Sequence, residues 1–416
     1  MAQGAIGLAM VPLITAVVGP SEYGWYAVAM ATVAVAAAIA EGGAGMALAS
    51  ELPRTTEDKH GEIVVSALGY ALLLGAALGF LGYAVYLPLV RSTAPGPLGG
   101  GEALIAACLV VVRAGMAAFG QALVVAGKAG LAAGANVSGA AAGAVATLFL
   151  LYGLGAGVDG LLAGQLVAGV VWLSVGLLGS GLAVRGRPRL ELMRKIARNT
   201  PATAAAAVTD QGRNWVESVV LLKWWGPAVV GLYSHARIYQ AYAVQGMNVM
   251  AYALWPHALE ACAQEDAEAI ERVRRYWRRA YALLAALGSG AALFGRDVVD
   301  ILTHGRFTEA SIWIAPLIAY VIVQHVGRVS LAWVYARGCG KSAAWIRTAT
   351  SAAGIVGVAL LAQVWGVAGA ITVAFAEMLL FRLALRRYAK KLDAPADVDG
   401  YAIAMAALVL GASLMV

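Results

Sequence analysis

Runs of about 20 apolar residues recur from Met1 to Val416 with short polar interruptions, and that is the length a helix needs to cross a bilayer core. In lipid every main-chain amide must be satisfied inside its own segment, so such runs span as α-helices. Of the 416 residues, 61% are hydrophobic and 13% charged, with a mean hydropathy of +0.76, which no soluble domain of this size keeps in water. The pattern predicts helices over about 3–18, 23–49, 63–90, 102–126, 132–154 and 159–184, then about 200–222, 228–257, 279–295, 308–335, 344–364 and 367–388. A thirteenth run covers 400–416. The first run lacks a basic flank and leads straight into the next, so it reads as a transmembrane helix rather than a cleaved signal.

The net charge of +7 does not point to nucleic acid, because the basic residues sit in short clusters between apolar runs. Alternate loops divide them unevenly. One set holds Arg54, Lys59, Lys128, Arg185, Arg187, Arg189, Arg194, Lys195, Arg198, Arg272, Arg274, Arg275, Arg278, Arg279, Arg337, Lys341, Arg386, Arg387, Lys390 and Lys391. The other holds only Arg91, Lys223, Arg296 and Arg306, so the N-terminus is expected in the cytoplasm. Cys108, Cys262 and Cys339 are isolated and show neither metal-ligand spacing nor a disulfide framework. No cofactor or metal is expected.

Three landmarks recur in order. Gly19-Pro20-Ser21-Glu22-Tyr23-Gly24-Trp25-Tyr26 and Gly226-Pro227-Ala228-Val229-Val230-Gly231-Leu232-Tyr233 share G-P-x-x-x-G-x-Y, each between the first two helices of a half. Gly127-Lys128 and Gly340-Lys341 each follow a fourth helix, and Gly157-Val158-Asp159-Gly160 and Gly366-Val367-Ala368-Gly369 each precede a sixth. Their order suggests a tandem duplication. Six helices is an even number, so both halves enter the membrane the same way, as parallel repeats that usually enclose a central site. The expected fold is therefore an all-α polytopic membrane protein of two six-helix lobes, 1–190 and 199–390, plus an additional C-terminal helix over 400–416.

Ionisable residues inside spans are costly and mark sites. Asp210, Arg213 and Glu217 stack on one face of the seventh helix beside Asn214. The eighth carries His235, Arg237, Gln240, Gln245 and Asn248, with Arg237, Gln245 and Asn248 on one stripe. Arg328 with Gln324 and His325 lies in the tenth, Arg113 with Gln121 in the fourth, and Glu41 in the second. His235 and His325 read as packing partners. Glu377 and Arg382 lie late in the twelfth, where Arg382 is expected to reach the cytoplasmic surface. A guanidinium fork pairs well with phosphate and carboxylate oxygens, so an arginine surplus on inner faces implies an anionic cargo. Asp210, Glu217 and Glu41 are the candidates for a coupling proton or sodium ion.

Gly338-Cys339-Gly340-Lys341-Ser342 is no phosphate-binding loop, since position 335 is Tyr where the motif needs Gly. The charged stretch from Gln264 to Arg279 reads as an extended helix end rather than a separate surface helix.

The G-P-S-E-Y-G-W-Y turn, the Gly42 to Gly45 segment, the G-P-x-x-x-G-L-Y entry with Trp255-Pro256 near the end of its helix, and the Gly-Lys step resemble the Wzx-type polysaccharide flippases, over about 4–390. That superfamily also holds the multidrug-and-toxin exporters (MATE) and the lipid II flippases. The resemblance implies a MATE-like two-lobed fold, alternating access and an undecaprenyl-diphosphate-linked oligosaccharide as cargo in a bacterial inner membrane. It makes Arg113, Arg213, Arg237 and Arg328 candidates for binding that cargo, with Gln245 and Asn248 beside them. A polysaccharide polymerase and a chain-length regulator are the expected protein partners, besides membrane lipids. Two other readings stand beside the flippase. A multidrug exporter of the same fold would favour an acidic, arginine-poor site, and a membrane enzyme of polysaccharide assembly would have only His304 and Asp300 in a short outward loop.

Overall fold

The computed structural model describes residues 2–52, 55, 57–93, 99–181, 186–395 and 399–413, leaving the side chains of 57, 58, 85–93, 199, 202–208 and 210 outside that description. The helices are α1 (Ala2–Val17), α2 (Pro20–Glu41), α3 (Ala44–Glu51), α4 (Glu57–Thr93), α5 (Gly100–Val125), α6 (Ala129–Leu148), α7 (Gly157–Ser180), α8 (Leu190–Trp225), α9 (Pro227–Ala263), α10 (Ala267–Thr303), α11 (Ser311–His325), α12 (Arg328–Ala336), α13 (Gly340–Lys390) and α14 (Asp399–Ser413). Among the described residues, eight stretches are long and apolar enough to cross a membrane. α8 and α9 exceed the same length but carry the polar residues noted above.

The helices gather into two units, Met1–Ser218 and Val219–Val416, divided inside α8. In the first, glycines let backbones meet, as small residues do in membrane helix pairs. A Cβ on Gly143 of α6 would stand 2.6 Å from Ala168 Cβ and 2.9 Å from the Gly164 carbonyl oxygen of α7. On the same helix pair, Trp172 Nε1 donates to Asn136 Oδ1 at 2.7 Å.

The helix expected over about 23–49 is broken. Gly42 (φ 53°) and Gly43 (φ 82°) take left-handed conformations that end α2 and start α3. The Glu41 carboxylate accepts from Gly45 N at 2.6 Å and Gly43 N at 3.4 Å, so it caps the new helix. Thr200 of α8 donates its hydroxyl to the Gly42 carbonyl at 2.8 Å, and the Tyr70 hydroxyl lies 2.6 Å from Thr200 Oγ1.

In the second unit α14 packs on α10 and α11. The span expected over about 308–335 is also broken. Val326 is extended (ψ 151°) and Gly327 has φ 74°, separating α11 from α12. α13 contains both helices expected over about 344–388, joined at Gly366 (φ 57°, ψ −134°). Trp225 lies against that turn and its Nε1 donates to the Ala362 carbonyl at 2.8 Å.

Pro20 and Pro227 each occupy a first helical position after a glycine, as their shared motif implies. The Gly-Lys pair needs correction. After α5, Gly127 N bonds Val124 O and Lys128 N bonds Leu123 O; after α12, Gly338 N bonds Tyr335 O and Cys339 N bonds Val334 O. Gly127 and Gly338 share φ near 71°. The counterpart of Gly127 is thus Gly338 rather than Gly340, because the repeated feature is a left-handed helix stop and not the lysine.

The basic stretch before α8 proved more helical than the sequence pattern implied, whereas the stretch from Gln264 to Arg279 forms the extended helix end expected of it. α8 starts at Leu190 and α10 at Ala267, the latter capped by Asp266 Oδ1, which accepts from Glu268 N at 2.9 Å and Ala269 N at 3.0 Å.

Candidate functional site

Within the first unit, Arg113 of α5 donates to Gln165 Oε1 of α7 at 2.9 Å. Gln121, two turns on, stands with Glu41 over Gly45 and leaves no room there for a side chain. Arg213, Asn214 and Glu217 follow one another on α8, where Glu217 is 2% exposed with its Oε1 lacking a hydrogen-bond partner among the described residues. Trp215 ties α8 to α2 by donating from Nε1 to Thr32 Oγ1 at 3.1 Å. The Asp210 side chain lies outside the described residues. Glu41 is committed to the α2–α3 break, which leaves Glu217 as the more enclosed of the two described acids.

The second unit gathers more charge. Arg328 opens α12 directly after the break, with its guanidinium over the Trp277 ring at 5.9 Å. Trp277 stacks on His325 at 6.3 Å, and His325 Nδ1 lies 2.9 Å from the Val321 carbonyl. Gln324 lies in the last turn of α11, before the break, and its Oε1 has no hydrogen-bond partner among the described residues. Behind the break, Arg382 donates to the Gln324 carbonyl and lies 4.8 Å from the Phe381 ring.

Arg382 therefore does not reach the surface. It is 8% exposed, because the interrupted ladder between α11 and α12 offers it an unpaired carbonyl inside the unit. Arg347, which the sequence pattern did not single out, stands over the same Phe381 ring at 5.5 Å. It pairs with Glu377 at 3.1 Å, and Ser351 donates to the same carboxylate at 2.8 Å. Glu377 is 3% exposed. An i, i+4 and i+5 spacing of Glu377, Phe381 and Arg382, facing an arginine seven residues into the preceding span, was the available signal.

Arg237 of α9 lies over Tyr233 at 5.8 Å. Gln245 is exposed and Asn248 half-buried on the same helix, and neither side chain has a hydrogen-bond partner among the described residues. His235 is fully buried against Phe307 (4.8 Å) and Tyr239 (5.6 Å), in keeping with a packing role. His304 is the left-handed cap of α10, and Asp300 accepts from Thr308 Oγ1 at 2.6 Å. That pair builds a turn, and no residue with it forms a catalytic constellation among the described residues.

Membership follows from comparison with known proteins. The profile of the family described as polysaccharide biosynthesis protein matches residues 1–260. The chain belongs to that family. No curated relative matches it. Among solved structures it is similar to a multidrug resistance MATE family transporter of the MOP superfamily in an inward-facing conformation, at 18% identity and a TM-score of 0.71, over 94% of this chain and 95% of the other. It is also similar to a MOP superfamily transporter from Pyrococcus furiosus, described as having a binding pocket of reversed polarity, at 18% identity and a TM-score of 0.59, over 94% and 93%. This member of the polysaccharide biosynthesis family is thus a multi-pass membrane protein with the MATE-like fold that its resemblance implied.

Proposed function

We propose that the protein is a flippase that carries an undecaprenyl-diphosphate-linked oligosaccharide across a bacterial cytoplasmic membrane by alternating access, with its N-terminus in the cytoplasm. The observation that carries this reading is the arginine surplus within the spans of a polysaccharide biosynthesis protein. In the second unit Arg347 pairs with the buried Glu377, while Arg328 lies over Trp277 and Arg382 is held by a main-chain carbonyl, and an excess of guanidinium over carboxylate suits an anionic head group.

Arg113, Arg213, Arg237 and Arg328 bind the diphosphate and sugar acids, and the amides of Gln245 and Asn248 serve sugar hydroxyls. Glu217, with Asp210 two turns earlier on α8, takes and releases the coupling proton or sodium ion. The protein works as a carrier rather than an enzyme, handing its cargo to a polymerase governed by a chain-length regulator.

Depletion in the native host, followed by an assay of which membrane face lipid-linked oligosaccharides occupy, tests this directly. Build-up of a diphosphate-linked intermediate on the cytoplasmic face, relieved by the wild type but not by Arg328→Ala or Arg213→Ala, is the expected result. Intact surface polysaccharide without build-up overturns it and turns attention to drug efflux.

A further inference from the structure

α10 is 37 residues long, about 55 Å at the helical rise, whereas a bilayer core is about 30 Å thick. Its N-terminal part therefore stands outside the hydrocarbon. One face of this helix is exposed along most of its length, carries an exposed acid near each end, Glu268 and Asp297, and between them passes from basic to apolar. Arg272, Arg275, Tyr276 and Arg279 come first, followed by Leu283, Leu287, Phe294 and Ile301. At 100° per residue all eight fall within one sector of the helix.

The charges on this face are unequal. Arg274 and Arg278, on the flank, pair with Glu271, and Arg272 reaches Glu268 only at 3.8 Å. Arg275 and Arg279, one turn apart, have no carboxylate partner among the described residues. The two exposed arginines thus start about 6 Å (Arg279) and about 12 Å (Arg275) along the axis before the first exposed leucine of the stripe. From Leu283 to Phe294 the apolar stripe runs about 16 Å, the depth of one leaflet.

We infer that this face of α10 is a docking site for an anionic phospholipid, its phosphate held by Arg275 and Arg279 and an acyl chain lying along Leu283, Leu287 and Phe294. The charge order fits that occupant and excludes a soluble acidic peptide, which would leave the apolar stripe uncovered. Tyr276 sits at head-group level, where amphipathic rings are favoured. The site is independent of the cargo reading, since it uses none of the arginines assigned to transport.

The test is native mass spectrometry of the purified full-length protein, titrated with phosphatidylglycerol and, separately, phosphatidylcholine. The wild type is expected to retain one phosphatidylglycerol in preference to phosphatidylcholine. Arg275→Gln/Arg279→Gln weakens that binding about 30-fold, from roughly one surface cation's attraction per arginine. Arg275→Lys/Arg279→Lys retains most of it, and Arg187→Gln, which removes an exposed charge elsewhere, retains all of it. Equal retention of both lipids by the wild type, or unchanged retention by the double glutamine variant, overturns the inference. Thermal unfolding of each variant separates lost binding from lost folding.

Discussion

The Arg382 guanidinium donates to the main-chain carbonyl of Gln324, filling a vacancy that the α11–α12 break leaves in the helical ladder. A side chain from α13 thereby does the work of a missing backbone amide. Gly327 is part of the same arrangement, because a Cβ there would stand 3.1 Å from Arg382 Cδ.

Replacing Arg382 tests that role. Arg382→Met leaves the carbonyl buried without its donor and is expected to cost about 1–3 kcal/mol. Unfolding in mixed micelles measures the loss, and Arg382→Lys recovers part of it.

At the other break, Thr200→Val removes the donor to Gly42 O while keeping the side-chain shape. A loss of about 1–2 kcal/mol is expected. Thr200→Ser stays near wild type, read by the same titration.

Arg347 and Glu377 form a pair whose members differ in exposure, 32% for the arginine side chain against 1% for the acid. Removing Arg347 strands the enclosed carboxylate, so Arg347→Met costs about 2–4 kcal/mol, at the lower end because water reaches the arginine. Arg347→Met/Glu377→Leu is expected to be more stable than Arg347→Met alone. A double-mutant cycle gives the coupling.

Gly143→Val places a branched side chain against Ala168 and the Gly164 carbonyl of α7. Overpacking of about 1–3 kcal/mol is expected, seen as a lower melting temperature. Gly134→Ala is the control, since a Cβ there meets nothing within 4 Å.

Most helices were legible in the sequence because lipid imposes a single length scale. The interruptions at Gly42-Gly43 and Val326-Gly327 were not, since apolar composition runs through both and only distant residues, Thr200 and Arg382, make the breaks tolerable. The same limit hid Arg382, whose distance from its helix end suggested water, and Arg347, whose partner lies 30 residues away. Arg328 and Glu217 stood out by hydropathy alone, because an ionisable residue inside an apolar run is noticed whether or not its partner is known. Glu41 stood out in the same way, but its commitment to two backbone amides depends on a turn that composition does not announce.

Gly127 and Gly338 terminate corresponding helices with the same pair of main-chain hydrogen bonds, although the residues after them are lysine in one half and cysteine in the other. What the two helix stops share is then handedness, whatever residue follows. A position open only to an achiral residue tolerates no other side chain, so these glycines are the landmarks by which the two helix ends correspond.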